Sequence, residues 1–245
     1  MCQIVCLDGD RRGNLARIEG AVAEAAGMGA DIACLPETAL YGWVNPDAHR
    51  RAQPVPGEDS QRLCEMARRH GIHLCVGLDE KEGEDLYDSA ILIDDAGQIL
   101  LKHRKIILLS ELMTPPYSPG QEVKVAPTKF GKVGVLICAD THEREILDRM
   151  AKRKPDLLLV PYGYAAEEDA WPEHGKQLER VVTNAAKTVD APVIGTNLIG
   201  AITNGPWTGR TYAGHSVAAD KTGNILAIGH DFDKDIVMVT VDPRR

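Results

Sequence analysis

The 245-residue chain has few aromatic residues, 4% of the total, with only two Phe and three Trp. Its interior must therefore be built mainly from Ala, Val, Ile and Leu, which suits stacked sheets and helices. No apolar run reaches transmembrane length and no signal peptide is visible, so neither a membrane span nor secretion is expected. Basic residues are not in excess. The 28 Lys and Arg face 36 Asp and Glu, a net charge of −8, which argues against nucleic acid as a partner. No Gly-rich phosphate loop precedes a helix, and the scattered His lack the H-x-H or H-x-x-x-H spacing of metal ligands. The six cysteines, Cys2, Cys6, Cys34, Cys64, Cys75 and Cys138, form no C-x-x-C pair, so a zinc ribbon is not indicated. Most lie in apolar runs, as free thiols do in a reducing cytosol, and a cytoplasmic location is expected.

What is present is an alternation of strands and helices without linker or repeat. Leu15, Ile18, Val22 and Ala25 recur at helical spacing and predict a helix over 12–28. Further helices are predicted at 59–70, 142–154 and 173–189. Strands are predicted at 31–35, 73–78, 89–94, 98–102, 123–126, 132–138, 156–161, 193–197, 215–219, 224–228 and 236–241. Strand pairs joined by hairpin turns, as at Asp95-Ala96-Gly97, argue against a purely parallel sheet. The expectation is one layered α/β domain over 1–245.

Three segments carry potential chemistry. In Lys132-Val-Gly-Val-Leu-Ile-Cys138-Ala-Asp140 an apolar strand ends at a cysteine. Asp140 and Glu143 have capping-box spacing, which would start a helix there and lower the pKa of the Cys138 thiol. Cys138 is then either a nucleophile at a strand-to-helix elbow or a buried structural cysteine. In Asp31-Ile-Ala-Cys-Leu-Pro36-Glu37 a second apolar strand ends at a carboxylate, Glu37, either functional or a loop charge. In Leu101-Lys-His-Arg-Lys105-Ile-Ile a lysine, Lys105, precedes an apolar stretch, while Lys102 and Arg104 read as surface charges.

Together the three segments match one pattern. Leu-Pro36-Glu37-x-Ala-Leu-Tyr-Gly42, Arg104-Lys105-Ile and Gly134-Val-Leu-Ile-Cys138-x-Asp140 resemble the nitrilase superfamily of carbon–nitrogen hydrolases. Tyr87-Asp-Ser89-Ala, Ser118-Pro-Gly120, Asn197-Leu-Ile-Gly200 and Gly214-His-Ser216 extend the resemblance over nearly the whole chain. It implies a four-layer αββα sandwich with mixed sheets and a Glu37–Lys105–Cys138 triad. Glu111 is its best match for a second glutamate beside the lysine. No metal or organic cofactor is implied. The implied reaction cleaves a small linear amide to carboxylate and ammonia through a thioester, with Lys105 and the Ala139 N–H stabilising the oxyanion.

Some residues depart from the pattern. Gln3 aligns with the end of the family's first strand, which is therefore expected to be shortened. Ala139-Asp140 replaces the Trp-Glu that follows the cysteine in relatives acting on nitriles, and favours an amide or carbamoyl substrate. Tyr117, His142, Tyr162 and Tyr164 are candidate walls of the substrate pocket, with Trp171 and His174 as further candidates, and Arg210 is either a clamp for a substrate carboxylate or a surface residue. The alternatives are an N-carbamoyl amine or amino-acid hydrolase, a nitrilase, and an inactive binding protein on the same fold. A homodimer or larger homo-oligomer is expected from the resemblance.

Overall fold

The computed structural model describes residues 1–242. After the short strand β1 (Cys2–Gln3), helix α1 (Arg11–Gly27) buries Leu15, Ile18, Val22 and Ala25 along one face. Asp10 caps it, Oδ1 accepting from the Gly13 N–H at 3.0 Å. Strand β2 (Ile32–Cys34), the one-turn helix α2 (Ala48–Arg51) and helix α3 (Glu58–His70) follow. Gly71 stops α3 in the left-handed region at φ 62°, where a Cβ is disfavoured. The meander β3 (His73–Glu82), β4 (Asp85–Ile93) and β5 (Ile99–Arg104) leads into the hairpin β6 (Val125–Thr128) and β7 (Gly131–Val135). Helix α4 (Arg144–Ala151), strand β8 (Leu157–Tyr162), helix α5 (Glu173–Val189) and strand β9 (Val193–Asn197) alternate after it. The chain closes with β10 (Ile199–Ala201), β11 (Thr211–Ala213), β12 (Val217–Ala219), β13 (Ile225–Ile228) and β14 (Asp235–Ile236).

Two mixed sheets dominate. One has the order β2-β3-β4-β5, the other β13-β12-β9-β8-β7-β6. Within them β2–β3, β7–β8 and β8–β9 are parallel and the remaining pairs antiparallel. The inner faces stack: Cys34, Cys75, Ala90, Leu92 and Leu101 of the smaller sheet share a core with Val133, Val135, Leu157 and Leu159 of the larger. Helices α1 and α3 cover the outer face of the smaller sheet, and α4 and α5 that of the larger. This is the αββα sandwich that the resemblance implies. Each fully buried Val or Leu contributes roughly 1.5–3 kcal/mol, so the fold needs no crosslink, and all six cysteines are free. Among the described residues no helix is long and apolar enough to cross a membrane.

Three elements differ from their sequence expectation. Strands β3 and β4 run well past Leu78 and begin before Ser89, pairing through Asp79↔Asp88 to Glu82↔Asp85. The β7 strand stops at Val135, and residues 138–142 form a 3-10 turn rather than the start of α4. The closing strand over 236–241 shrinks to Asp235–Ile236, because among the described residues it pairs with the two-residue β1 alone. The first strand spans two residues, Cys2 and Gln3.

Candidate active site

Because side chains alternate across a strand, one face of the smaller sheet looks into the sandwich. On β3 that phase carries Cys75, Gly77 and Asp79; on β4 it carries Leu92, Ala90 and Asp88; on β5, Leu101 and His103, with Lys105 just beyond. The apolar ends of these rows form the core, and the polar ends gather at one edge of the sandwich. Glu37 joins them from the turn after β2. Gly77 makes that approach possible, since a Cβ there would sit 2.5 Å from the Glu37 Cα. The Gly77 N–H also donates to the Pro36 carbonyl at 3.0 Å, fixing the turn.

Glu37 is 0% exposed and Lys105 2%. The Lys105 ammonium donates to Glu37 Oε1 in a very short contact, and Glu37 Oε2 accepts from the Gly163 N–H at 2.6 Å. A Cβ at position 163 would lie 2.9 Å from that oxygen, so only glycine lets the backbone come this close. Cys138, 8% exposed, lines the same cleft as Lys105 and Gly163. Its φ of 39° is strained for a residue with a side chain, and Thr38, next to Glu37, shows φ 41°.

Electrostatics follow from burial. Burial and the Glu37 charge push the Cys138 thiol well above its ordinary range, while Lys105 and the Gly163 N–H only partly offset them. The helix-terminus lowering expected from sequence is overturned: the turn after Cys138 is not an α-helix, and α4 begins later, at Arg144. Burial also works against the Lys105 charge, but Glu37 and Asp88 outweigh it and hold the ammonium above the usual lysine range. Burial and Lys105 lower His142, which stays neutral near pH 7.

Asp140 does not cap α4 as the sequence suggested. Its Oδ1 accepts from the N–H groups of Ile106 and Ile107, both at 2.9 Å, and its Oδ2 from the Ile137 N–H at 3.1 Å. His103 Nε2 reaches the same Oδ2 at 2.8 Å. One buried carboxylate thus ties the segment after Lys105 to the turn that bears Cys138. Thr141 Oγ1 donates to the Cys138 carbonyl at 2.7 Å and also meets the Tyr162 hydroxyl at 2.8 Å.

The cleft holds about 470 Å³. Trp43, Ala139, His142, Tyr164 and Trp207 form its walls near Cys138 and Lys105, with His174 and Arg210 further along. Arg210 Nε donates to Glu167 at 3.2 Å, and its guanidinium lies over Trp207 at 4.0 Å. Among the described residues no group of His, Cys, Asp and Glu is arranged to hold a metal ion.

The remaining candidates fall elsewhere. Glu111 is exposed on a 3-10 turn and does not line the cleft; the second carboxyl near the Lys105 ammonium is that of Asp88 on β4, at 3.4 Å. The loop from Leu109 to Met113 turns Glu111 outward while burying Leu112. Tyr117 is no wall residue; it is buried and donates to Asp79 Oδ1 at 2.8 Å. Tyr162 is fully buried behind the turn that bears Cys138, and Trp171 packs edge-on against His174. Sequence reasoning missed Asp79, Asp88, Gly163, Trp43 and Trp207. The signal for the first two was their phase with the inner apolar residues of β3 and β4.

Comparison with known proteins follows the same direction. The model of the carbon-nitrogen hydrolase family matches residues 1–245. The chain is 31% identical over 229 residues to omega-amidase NIT2 of Mus musculus, an alignment covering 87% of this chain and 77% of that protein. It is 33% identical over 177 residues to omega-amidase NIT2 of Danio rerio, covering 68% of this chain and 63% of that protein, so it spans less than two thirds of that relative's length. Citrullinase of Francisella tularensis subsp. tularensis is 29% identical over 240 residues, 94% of this chain and 83% of that protein. Among solved structures, a mutant amidase from Nesterenkonia sp. AN1 carries the acetamide moiety of fluoroacetamide at its active site cysteine. It superposes with a TM-score of 0.85 at 23% identity, over 99% of this chain and 89% of that one, a likeness of fold.

Proposed function

The chain belongs to the carbon–nitrogen hydrolase family, and on that premise we propose that it hydrolyses a small linear primary amide to carboxylate and ammonia, with Cys138 as nucleophile. The observation that carries this reading is the buried Lys105–Glu37 pair, pinned by the Gly163 N–H in the cleft lined by Cys138.

A thiol pushed up by burial is protonated at neutral pH, so attack requires a proton acceptor in place. Glu37 is that acceptor. It takes the thiol proton as sulfur attacks the amide carbon. The negative charge developing on the carbonyl oxygen is met by the Lys105 ammonium and the Ala139 N–H, roughly 3–4 kcal/mol for each good donor. Glu37 then passes its proton to the amide nitrogen, the C–N bond breaks and ammonia leaves a thioester on Cys138. Water, giving a proton to Glu37, attacks the thioester. The carboxylic acid departs, and the proton on Glu37 returns to sulfur.

Omega-amidase relatives at 31–33% identity favour an amide. A second reading, hydrolysis of an N-carbamoyl or ureido compound to ammonia, carbon dioxide and the amine, draws on the citrullinase relative aligned over 94% of the chain. Ammonia release from a panel of short linear amides, ureido acids and nitriles tests both. Turnover of amides supports the first reading and turnover of ureido acids the second. Activity confined to nitriles would overturn both.

A further inference from the structure

Asp88 lies inside the cluster, and the mechanism above gives it no task. It faces Asp79 directly across β3 and β4, and its carbonyl accepts from the Lys105 N–H at 2.8 Å. Asp79, Asp88 and Lys105 therefore form one row across three strands, pointing into the sandwich. Asp88 is buried, and among the described residues neither of its carboxyl oxygens has a hydrogen-bond partner. Its Oδ2 stands 3.4 Å from Lys105 Nζ, the atom that also donates to Glu37.

We propose that Asp88 is a fourth member of this centre, a protonated carboxyl that flanks Lys105 together with Glu37 and positions the lysine. One ammonium cannot compensate two ionised carboxylates in a site closed to water. An ionised Asp88 would leave its second oxygen bare, whereas the protonated group gains an O–H donor. The groups facing it agree. They are Glu37 from the turn after β2, Asp79 from β3, Lys105 after β5 and Tyr117 from the following loop. Burial first, and then the Glu37 charge, hold the Asp88 carboxyl well above the usual carboxylate range, and Lys105 offsets this only in part. Asp88 does not line the cleft, so it acts through Lys105 and Glu37 rather than on substrate.

The role in turnover rests on the proposed reaction; the protonation does not, and the test separates them. The infrared difference between wild type and Asp88→Asn at neutral pH should show the carbonyl stretch of a protonated carboxylic acid disappearing. In parallel, the rate at which iodoacetamide alkylates Cys138 is read by peptide mass for wild type, D88N and D88A. The amide can stand in for a neutral carboxyl, so D88N should stay within about 3-fold of wild type, whereas D88A should slow by about tenfold or more as Lys105 loses one flank. Should D88A fail to fold, Asp88→Ser carries the same comparison. Loss of carboxylate bands alone, or a D88N rate as low as that of D88A, overturns the proposal. If the band and the alkylation pattern hold while no amide is turned over, Asp88 keeps its place and the reaction assignment falls.

Discussion

The two faces of the smaller sheet carry the same residue types and treat them differently. On the outer face, buried Glu80 meets two cations and a hydroxyl: Arg104 at 2.6 Å, Lys102, and Ser89 Oγ at 2.7 Å. Burial works to raise its pKa, but these partners outweigh burial and hold the carboxyl below its ordinary range. On the inner face, one residue away along each strand, the count is reversed. Glu37 and Asp88 flank a single ammonium, Lys105, Asp79 sits across from Asp88, and burial lifts Asp79 to about 8, with the Tyr117 hydrogen bond only opposing the rise. The outer cluster is charge-compensated and hydrogen-bonded throughout, which is how ion pairs brace a fold. The inner one is short of cations and holds carboxyls in protonation states that water would not permit, which is how sites of proton transfer are built.

This contrast can be broken by substitution. The largest effect belongs to the nucleophile: Cys138→Ala should lower amide turnover by about 10⁴-fold or more, read by single-turnover ammonia release, and retained turnover would remove Cys138 from the reaction. Next, Lys105→Met should cost about 10²–10³ in kcat, as loss of an oxyanion donor does. Its outer-face counterpart, Arg104→Met, should instead leave kcat within about 3-fold while lowering unfolding stability by about 1–3 kcal/mol in urea. Equal kinetic damage from both would mean that the faces do not differ in kind.

A third test uses pH. Asp79 titrates near 8 in the fold against ~3.9 unfolded, so the native state holds a proton that the unfolded chain has released. Wild-type stability from this group is therefore highest below about pH 4 and falls as pH rises to about 8, by up to about 1.4 kcal/mol per unit. Asp79→Asn has no proton to lose. Its advantage over wild type in urea unfolding should widen across that window, to about 5 kcal/mol at pH 8. Parallel stability curves for the two proteins would mean that Asp79 is ionised throughout. The smallest effect is expected at exposed Glu111, where Ala should change stability by no more than about 0.5 kcal/mol and leave turnover unaltered.

The layers were legible because apolar strands declare themselves by composition, whereas the meeting of Glu37, Lys105 and Cys138 in one neighbourhood was implied only by the resemblance of their three segments to one family, since each residue read alone also suited a structural role. The segment 79–88 was not legible. The expected strands stop at Leu78 and start again at Ser89, yet β3 and β4 run on through buried Asp79, Glu80 and Asp88 toward the turn at Gly83 and Glu84. Buried charge violates the pattern on which strand recognition depends, so the expected strands stopped where the site begins. Tyr117 and Tyr162 were misplaced for a related reason. An aromatic side chain with a hydroxyl suits a cleft wall and a buried hydrogen-bond network equally well, and only the fold decides. Glu111 failed on loop length, since a carboxylate in a connecting segment has no phase to read.

The four contacts to the Asp140 carboxylate have one last consequence. They make the lysine segment and the Cys138 turn a single rigid piece, so their relative position does not depend on the residues around the mouth of the cleft. Tyr164, Trp207 and Arg210 can then be exchanged like the jaws of a tool whose grip is fixed behind them. What the protein accepts can change by substitution at the rim, while how it would react stays anchored one layer deeper.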